Sequence, residues 1–210
     1  MSTTGSGAAQ AAILGQAMAA PTADHRRETA ERNVESILDA AEALLSRRAQ
    51  ASISAVAKEA GVSRVTVYSH FPTREDLLGA VVARVTRAAT ASIEEARPSE
   101  GDPVEALERV ITIAWEELER QEAIRQATAE ELSAEAVWRA HQSVARAIRR
   151  LIERGRRQGS FRTDLPVQWL VVSVLALLHA AADEVREGRL KPGAARTAVK
   201  TSILELFTGQ

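Results

Sequence analysis

The chain has 210 residues, of which 45% are apolar and 26% charged, close to the composition of soluble globular proteins and far from that of a disordered polyelectrolyte. It contains no cysteine, which excludes a disulfide framework, thiolate metal sites and cysteine nucleophiles together. Its net charge is -1, so any affinity for nucleic acid must come from a local patch. Of the 27 basic residues only Lys58, Lys191 and Lys200 are lysine. The arginine bias suits bidentate contacts to phosphate or guanine, and GC-rich coding would also produce it.

Residues 1–24 are Ser, Thr, Gly, Ala and Gln with scattered apolar positions and no period, which predicts a disordered tail. An apolar stretch at 8–20 has no Lys or Arg before it, unlike an export signal, so a cytoplasmic location is expected. From Arg32 onward the pattern is helical, with Val34, Ile37, Leu38, Ala41, Leu44 and Leu45 forming one stripe. A short second helix is expected over 54–60, stopped by Gly61, and a third over 64–70, capped by Ser63 and ended by Phe71-Pro72. Thr73 caps a fourth, with Glu75 and Asp76 in its first turn and an apolar stripe from Leu77 to Ala89.

After a polar loop at 98–103, helices are expected over 104–120, 123–131 and 134–158, the last closed by Gly159. Pro166 and Pro192 open two more, to about 185 and 207. The apolar run at 169–182 falls short of the roughly 18 residues of a membrane span, so it reads as a helix buried in protein, with no membrane partner. The expectation is an all-α fold of about nine helices, with no convincing period-2 strand.

Two short helices joined by a glycine-containing turn have the spacing of a helix-turn-helix, whose second helix fits the DNA major groove. The charge agrees. Between Ser46 and Arg74 five basic residues face the single acid Glu59, a local charge of +4. Residues 53–78, ISAVAKEAGVSRVTVYSHFPTREDLL, resemble the signature of the TetR family of bacterial transcription regulators. The stretch 159–166, GSFRTDLP, is similar to a common junction before that family's dimerisation helices. Val65 departs from the family pattern, which more often has glycine or alanine there.

The resemblance implies a three-helix DNA-binding domain at 25–72 and an effector-binding and dimerisation domain at 73–210. It further implies a homodimer on a palindromic operator of double-stranded DNA, acting as a repressor. An unidentified small-molecule effector enclosed by helices between about 74 and 185 would shift the fourth helix and release the DNA. Arg64 is the candidate base reader, suited to guanine O6 and N7, with a phosphate contact by the same side chain as the other reading. Val65 and the Thr66 methyl can meet a thymine methyl, and the Thr66 hydroxyl a phosphate. Tyr68, His70 and Arg74 match family positions on the DNA backbone, with packing between helices as the rival reading for Tyr68 and His70. Lys58, Ser63 and Thr73 complete the candidate contact set.

Trp115, Trp138, His141, Trp169 and His179 stand out on otherwise apolar helices, either as effector contacts or as plain core. The scarcity of carboxylates on those faces suggests a neutral or weakly polar effector. Trp169, Val172, Leu175, Leu178, Val199, Ile203 and Leu206 form the candidate dimer interface, with an internal core helix as the other reading. A second basic cluster, Arg149 to Arg162, reads as a solvated face.

No cofactor or metal is expected, because the four histidines lack metal-ligand spacing. With no phosphate-binding glycine loop or nucleophile elbow either, the chain is not expected to be an enzyme. The rival to a regulator is a helical interaction module of the same fold that does not bind DNA.

Overall fold

The computed structural model describes residues 23–209, and these contain ten helices and no strand. The expected tail thus falls mainly outside the described residues, while Ala23 and Asp24 already belong to the first helix. In order the helices are α1 (Ala23–Ser46), α2 (Ile53–Glu59), α3 (Arg64–His70), α4 (Arg74–Glu95), α5 (Pro103–Arg120), α6 (Glu122–Thr128), α7 (Ala134–Ala140), α8 (Gln142–Arg157), α9 (Val167–Arg186) and α10 (Pro192–Thr208).

The extra helix arises at His141, where the helix expected over 134–158 divides into α7 and α8. Its backbone N–H bonds to the Val137 and Trp138 carbonyls, and its ring Nδ1 lies 2.8 Å from the Val137 carbonyl, so the side chain competes with the helical ladder there.

Two apolar cores form. The first joins Ile37, Leu38, Ala41 and Leu45 of α1 to Val56, Val67 and Phe71, and is closed by Leu77, Leu78, Val81 and Val85 of α4, with Ile124 of α6. The second gathers α5, α8, α9 and α10 around Leu107, Ile111, Trp115, Ile148, Ile152, Leu170 and Phe207, and takes Ile93 from the far end of α4. Helix α4 therefore runs through both cores, and a displacement of its axis reaches both.

Local chemistry sets the helix ends. Ser52, Ser63, Asp102 and Ser133 each accept a backbone N–H in the first turn of the helix they precede, and Thr73 with Asp76 forms a capping box. Gly61 turns the chain between α2 and α3 at φ +67°, a conformation costly for a residue with a Cβ.

Helix α9 is 20 residues long and apolar enough by length and composition to cross a membrane, which corrects the shorter run read from the sequence. Here its Leu170, Val171, Val174, Leu178 and Ala181 are packed into the second core.

Gly155, buried in α8, lies under the Phe161 ring, which meets Phe207 edge-on with centroids 5.2 Å apart. A methyl at 155 would overlap that ring. Helix propensity alone favours alanine by about 1 kcal/mol, but overpacking typically costs about 1–3 kcal/mol. Gly155→Ala is therefore expected to lower the urea midpoint, and a raised midpoint would show that Phe161 relaxes freely.

Candidate nucleic-acid interface and effector cavity

Helix α3 is held from one side and bare on the other. Val67 is fully buried and Phe71 nearly so, anchoring it to the first core. Ser63 Oγ accepts the Thr66 N–H at 3.0 Å and lies 2.8 Å from the Thr66 hydroxyl, fixing the first turn. Opposite, Arg64, Val65, Tyr68 and Ser69 are exposed, Val65 by 78%. The side chains of Arg64 and Lys58 make no hydrogen bond or ion pair among the described residues. A bare valine beside a free guanidinium has the composition of a base-reading surface, combining an apolar contact for a thymine methyl with a bidentate donor. His70 is half-buried. The Thr73 hydroxyl is spent within its capping box, accepting from the Asp76 N–H and donating to the Asp76 carboxylate at 2.7 Å.

Arg74, expected on the DNA backbone, is engaged within the chain. Its guanidinium grips both oxygens of Glu131, at 2.5 and 2.8 Å, and donates to the Ala51 carbonyl as well. The paired arginine holds the Glu131 carboxyl below its ordinary range. Glu75 accepts the Ser133 N–H at 3.2 Å. The start of α4 is thereby fastened both to the α6–α7 connection and to the loop before α2.

Between α4, α5, α6, α7 and α9 lies a cavity of two lobes, about 230 and 50 Å³. Thr86, Leu118, Gln121, His141 and His179 line both. The His141 and His179 rings meet edge-on with their Nε2 atoms 3.3 Å apart. A carbonyl only accepts, so His141 carries its proton on Nδ1 toward Val137, and His179 Nε2–H donates to the bare His141 Nε2. Burial, His141 and Arg125 together push His179 down to about 4, against an opposing pull from Asp183, so its imidazole is neutral at neutral pH.

Of the five residues singled out for the pocket, only His141 and His179 line these lobes. Trp115 is buried in the second core, its indole N–H without a partner among the described residues, and it borders a separate cleft. Trp138 and Trp169 are exposed, Trp169 by 56%. The interface set divides too. Leu178, Val199 and Ile203 are buried in the second core, Leu175 and Leu206 are half-buried against it, and only Trp169 and Val172 are exposed. Most of the second basic cluster bonds within the chain, Arg154 to the Pro98 and Gly101 carbonyls, Arg150 to Glu94, Arg156 to the Leu165 carbonyl and Arg162 to Asp164.

Sequence reasoning missed Glu117, Gln121 and Thr86. Glu117 is only 6% exposed and lines the smaller lobe. Its position, three after Ala114 and seven after Val110, already placed it on the apolar stripe of α5.

Residues 37–81 match the bacterial regulatory proteins, tetR family, and residues 103–183 match the tetracyclin repressor-like C-terminal domain. The HTH-type transcriptional repressor LfrR of Mycolicibacterium smegmatis is 41% identical over 81 residues, spanning 39% of this chain and 43% of that protein. The crystal structure of LfrR from Mycobacterium smegmatis in complex with proflavine aligns with 84% of this chain and 96% of its own, at 26% identity and a TM-score of 0.58. FadR from Bacillus subtilis in complex with stearoyl-CoA aligns with 83% of this chain and 97% of its own, at 20% identity and a TM-score of 0.66, and shares the fold.

A helix-turn-helix with an outward recognition helix, carried on a helical body, defines a DNA-binding transcription regulator. The chain belongs to the tetR family of these bacterial regulators.

Proposed function

We propose that this protein is a cytoplasmic repressor, neither an enzyme nor membrane-bound, that binds a palindromic operator as a homodimer and leaves it when a small molecule fills the two-lobed cavity. Residues 25–72 form the DNA-binding domain and 73–210 the effector and dimerisation domain, with α4 shared between their cores. The bare Arg64–Val65 face carries this reading, because the Arg64 guanidinium is unpaired among the described residues and stands beside an exposed valine. Lys58, Ser63, Thr66, Tyr68 and His70 flank it, while Arg74 acts as a positioning residue through Glu131 and Ala51. Two such helices must sit one helical turn apart, about 34–36 Å, or a multiple of it. The repressor assignment takes support from LfrR, a named repressor 41% identical to this chain over 81 residues.

Site selection from random duplexes with purified protein tests this. The expected result is a palindrome whose affinity falls steeply with salt. Arg64→Ala is expected to lose discrimination at one base of each half-site, worth about 1–3 kcal/mol. An unselective pool, or an unchanged base preference in Arg64→Ala, would overturn it.

A further inference from the structure

The smaller lobe contains a carboxylate whose cationic partner among the described residues lies largely in solvent. Glu117 accepts from Arg120 at 2.6 Å, but Arg120 lies 67% exposed, where water weakens its field. Its other oxygen has only a 3.4 Å contact from the Gln121 amide. A carboxylate so deeply buried is costly unless a cation is close by.

Among the described residues, the rest of the lining offers acceptors and no unpaired positive charge. Arg125, the arginine among the lining residues, is paired with two carboxylates, Glu122 at 2.6 Å and Asp183 at 2.5 Å. His141 has both nitrogens engaged, and the tautomer it imposes on His179 leaves the His179 Nδ1 as an acceptor. The Gln121 amide N–H₂ points to the Val85 carbonyl at 3.2 Å, leaving its oxygen available. The larger lobe is walled by Val82, Val85, Ile124, Leu132 and Val137.

We infer that the cavity takes a hydrophobic organic ammonium, its charged head against Glu117 in the small lobe and its apolar body in the large one, and that it rejects carboxylates and phosphates of the same size. This rests on the reading of the cavity as an effector site, and it differs from the neutral effector expected from sequence. The head loses water but gains a charge-assisted bond to Glu117 and acceptors at Gln121 and His179. An anion would meet the same carboxylate, and the Arg125 cation is already paired with two others.

The test is titration calorimetry with 4-phenylbutylamine, an ammonium at neutral pH, against 4-phenylbutyrate, which is similar in size with opposite charge. The amine is expected to bind at least about tenfold more tightly. Glu117→Gln, nearly identical in shape, is expected to lose about tenfold in amine affinity and none for the acid. Arg120→Ala, a change at the surface that leaves the core intact, is expected to tighten amine binding by freeing Glu117.

Equal or tighter binding of the carboxylate overturns the inference. So does an amine affinity indifferent to Glu117→Gln or unimproved by Arg120→Ala. Operator binding by the ligand-free protein, measured separately, distinguishes this from failure of the regulatory reading, since calorimetry requires no DNA.

Discussion

Val172→Arg is expected to yield a folded monomer whose operator affinity is about 100-fold or more below that of the parent. Val172 lies three residues after Trp169 on the outer face of α9 and is 37% exposed. Ala176 and Ala180 continue that face, and α10 beside it exposes Ala194, Ala198, Thr201 and Ser202. Small side chains let helices approach closely, so two α9–α10 pairs related by a twofold axis can form a four-helix bundle around the tryptophans. An arginine there would meet its symmetry mate in a desolvated contact, at a cost of several kcal/mol. The loss in DNA binding follows from valency, because a monomer grips one half-site and forgoes the effective concentration of the second, a factor of roughly 10²–10⁴. Sedimentation velocity and gel shift read both effects, and an unaltered dimer would place the interface elsewhere. Leu178→Arg is a poor substitute. Leu178 is buried within the second core, so a charge there would unfold the protomer instead of separating two.

That contrast marks what could be read before the structure. The helix-turn-helix was legible because its signals are local: Ser63 and Thr73 cap the helices that follow them, and Gly61 sits at the positive φ its turn requires. Periodicity likewise found the stripes of α1, α4 and α5. It could not say which neighbour each stripe faces. Trp169 and Leu178 look alike on one apolar helix, yet one side of α9 meets α8 and α10 while the other is open.

The break at His141 escaped for a related reason, since the ring contact that interrupts the ladder is made by a residue with no strong helix-breaking tendency. Arg74 and Glu131 are 57 positions apart, and no short-range pattern pairs them. Glu117 was hidden differently. Beside Glu116, in an acidic stretch, its residue type outweighed its phase on the helix, though the phase was the better guide.

The histidine pair gives the fold a distinctive dependence on acid. His179 is held at about 4 in the folded protein, against an ordinary 6.5, chiefly by burial, then by His141 and Arg125, with Asp183 in opposition. Between those values the unfolded chain binds a proton that the folded one refuses. Unfolding therefore takes up a proton in that window, and stability must rise with pH through it. The contribution is undiminished above about 6.5 and is lost as pH falls toward 4, a change on the order of 3 kcal/mol. The carboxylates act in a different range. Glu131 and Asp183 are held below their ordinary values by arginine partners, so their stabilisation is lost only as pH falls through the usual carboxylate region and below.

His179→Gln keeps an N–H donor toward His141 and removes the titration. Urea unfolding from pH 7.5 to 4.5 is expected to show the parent losing on the order of 3 kcal/mol more than the variant, most of it between pH 6.5 and 5. Parallel curves for the two proteins would mean that His179 takes up its proton in the folded state.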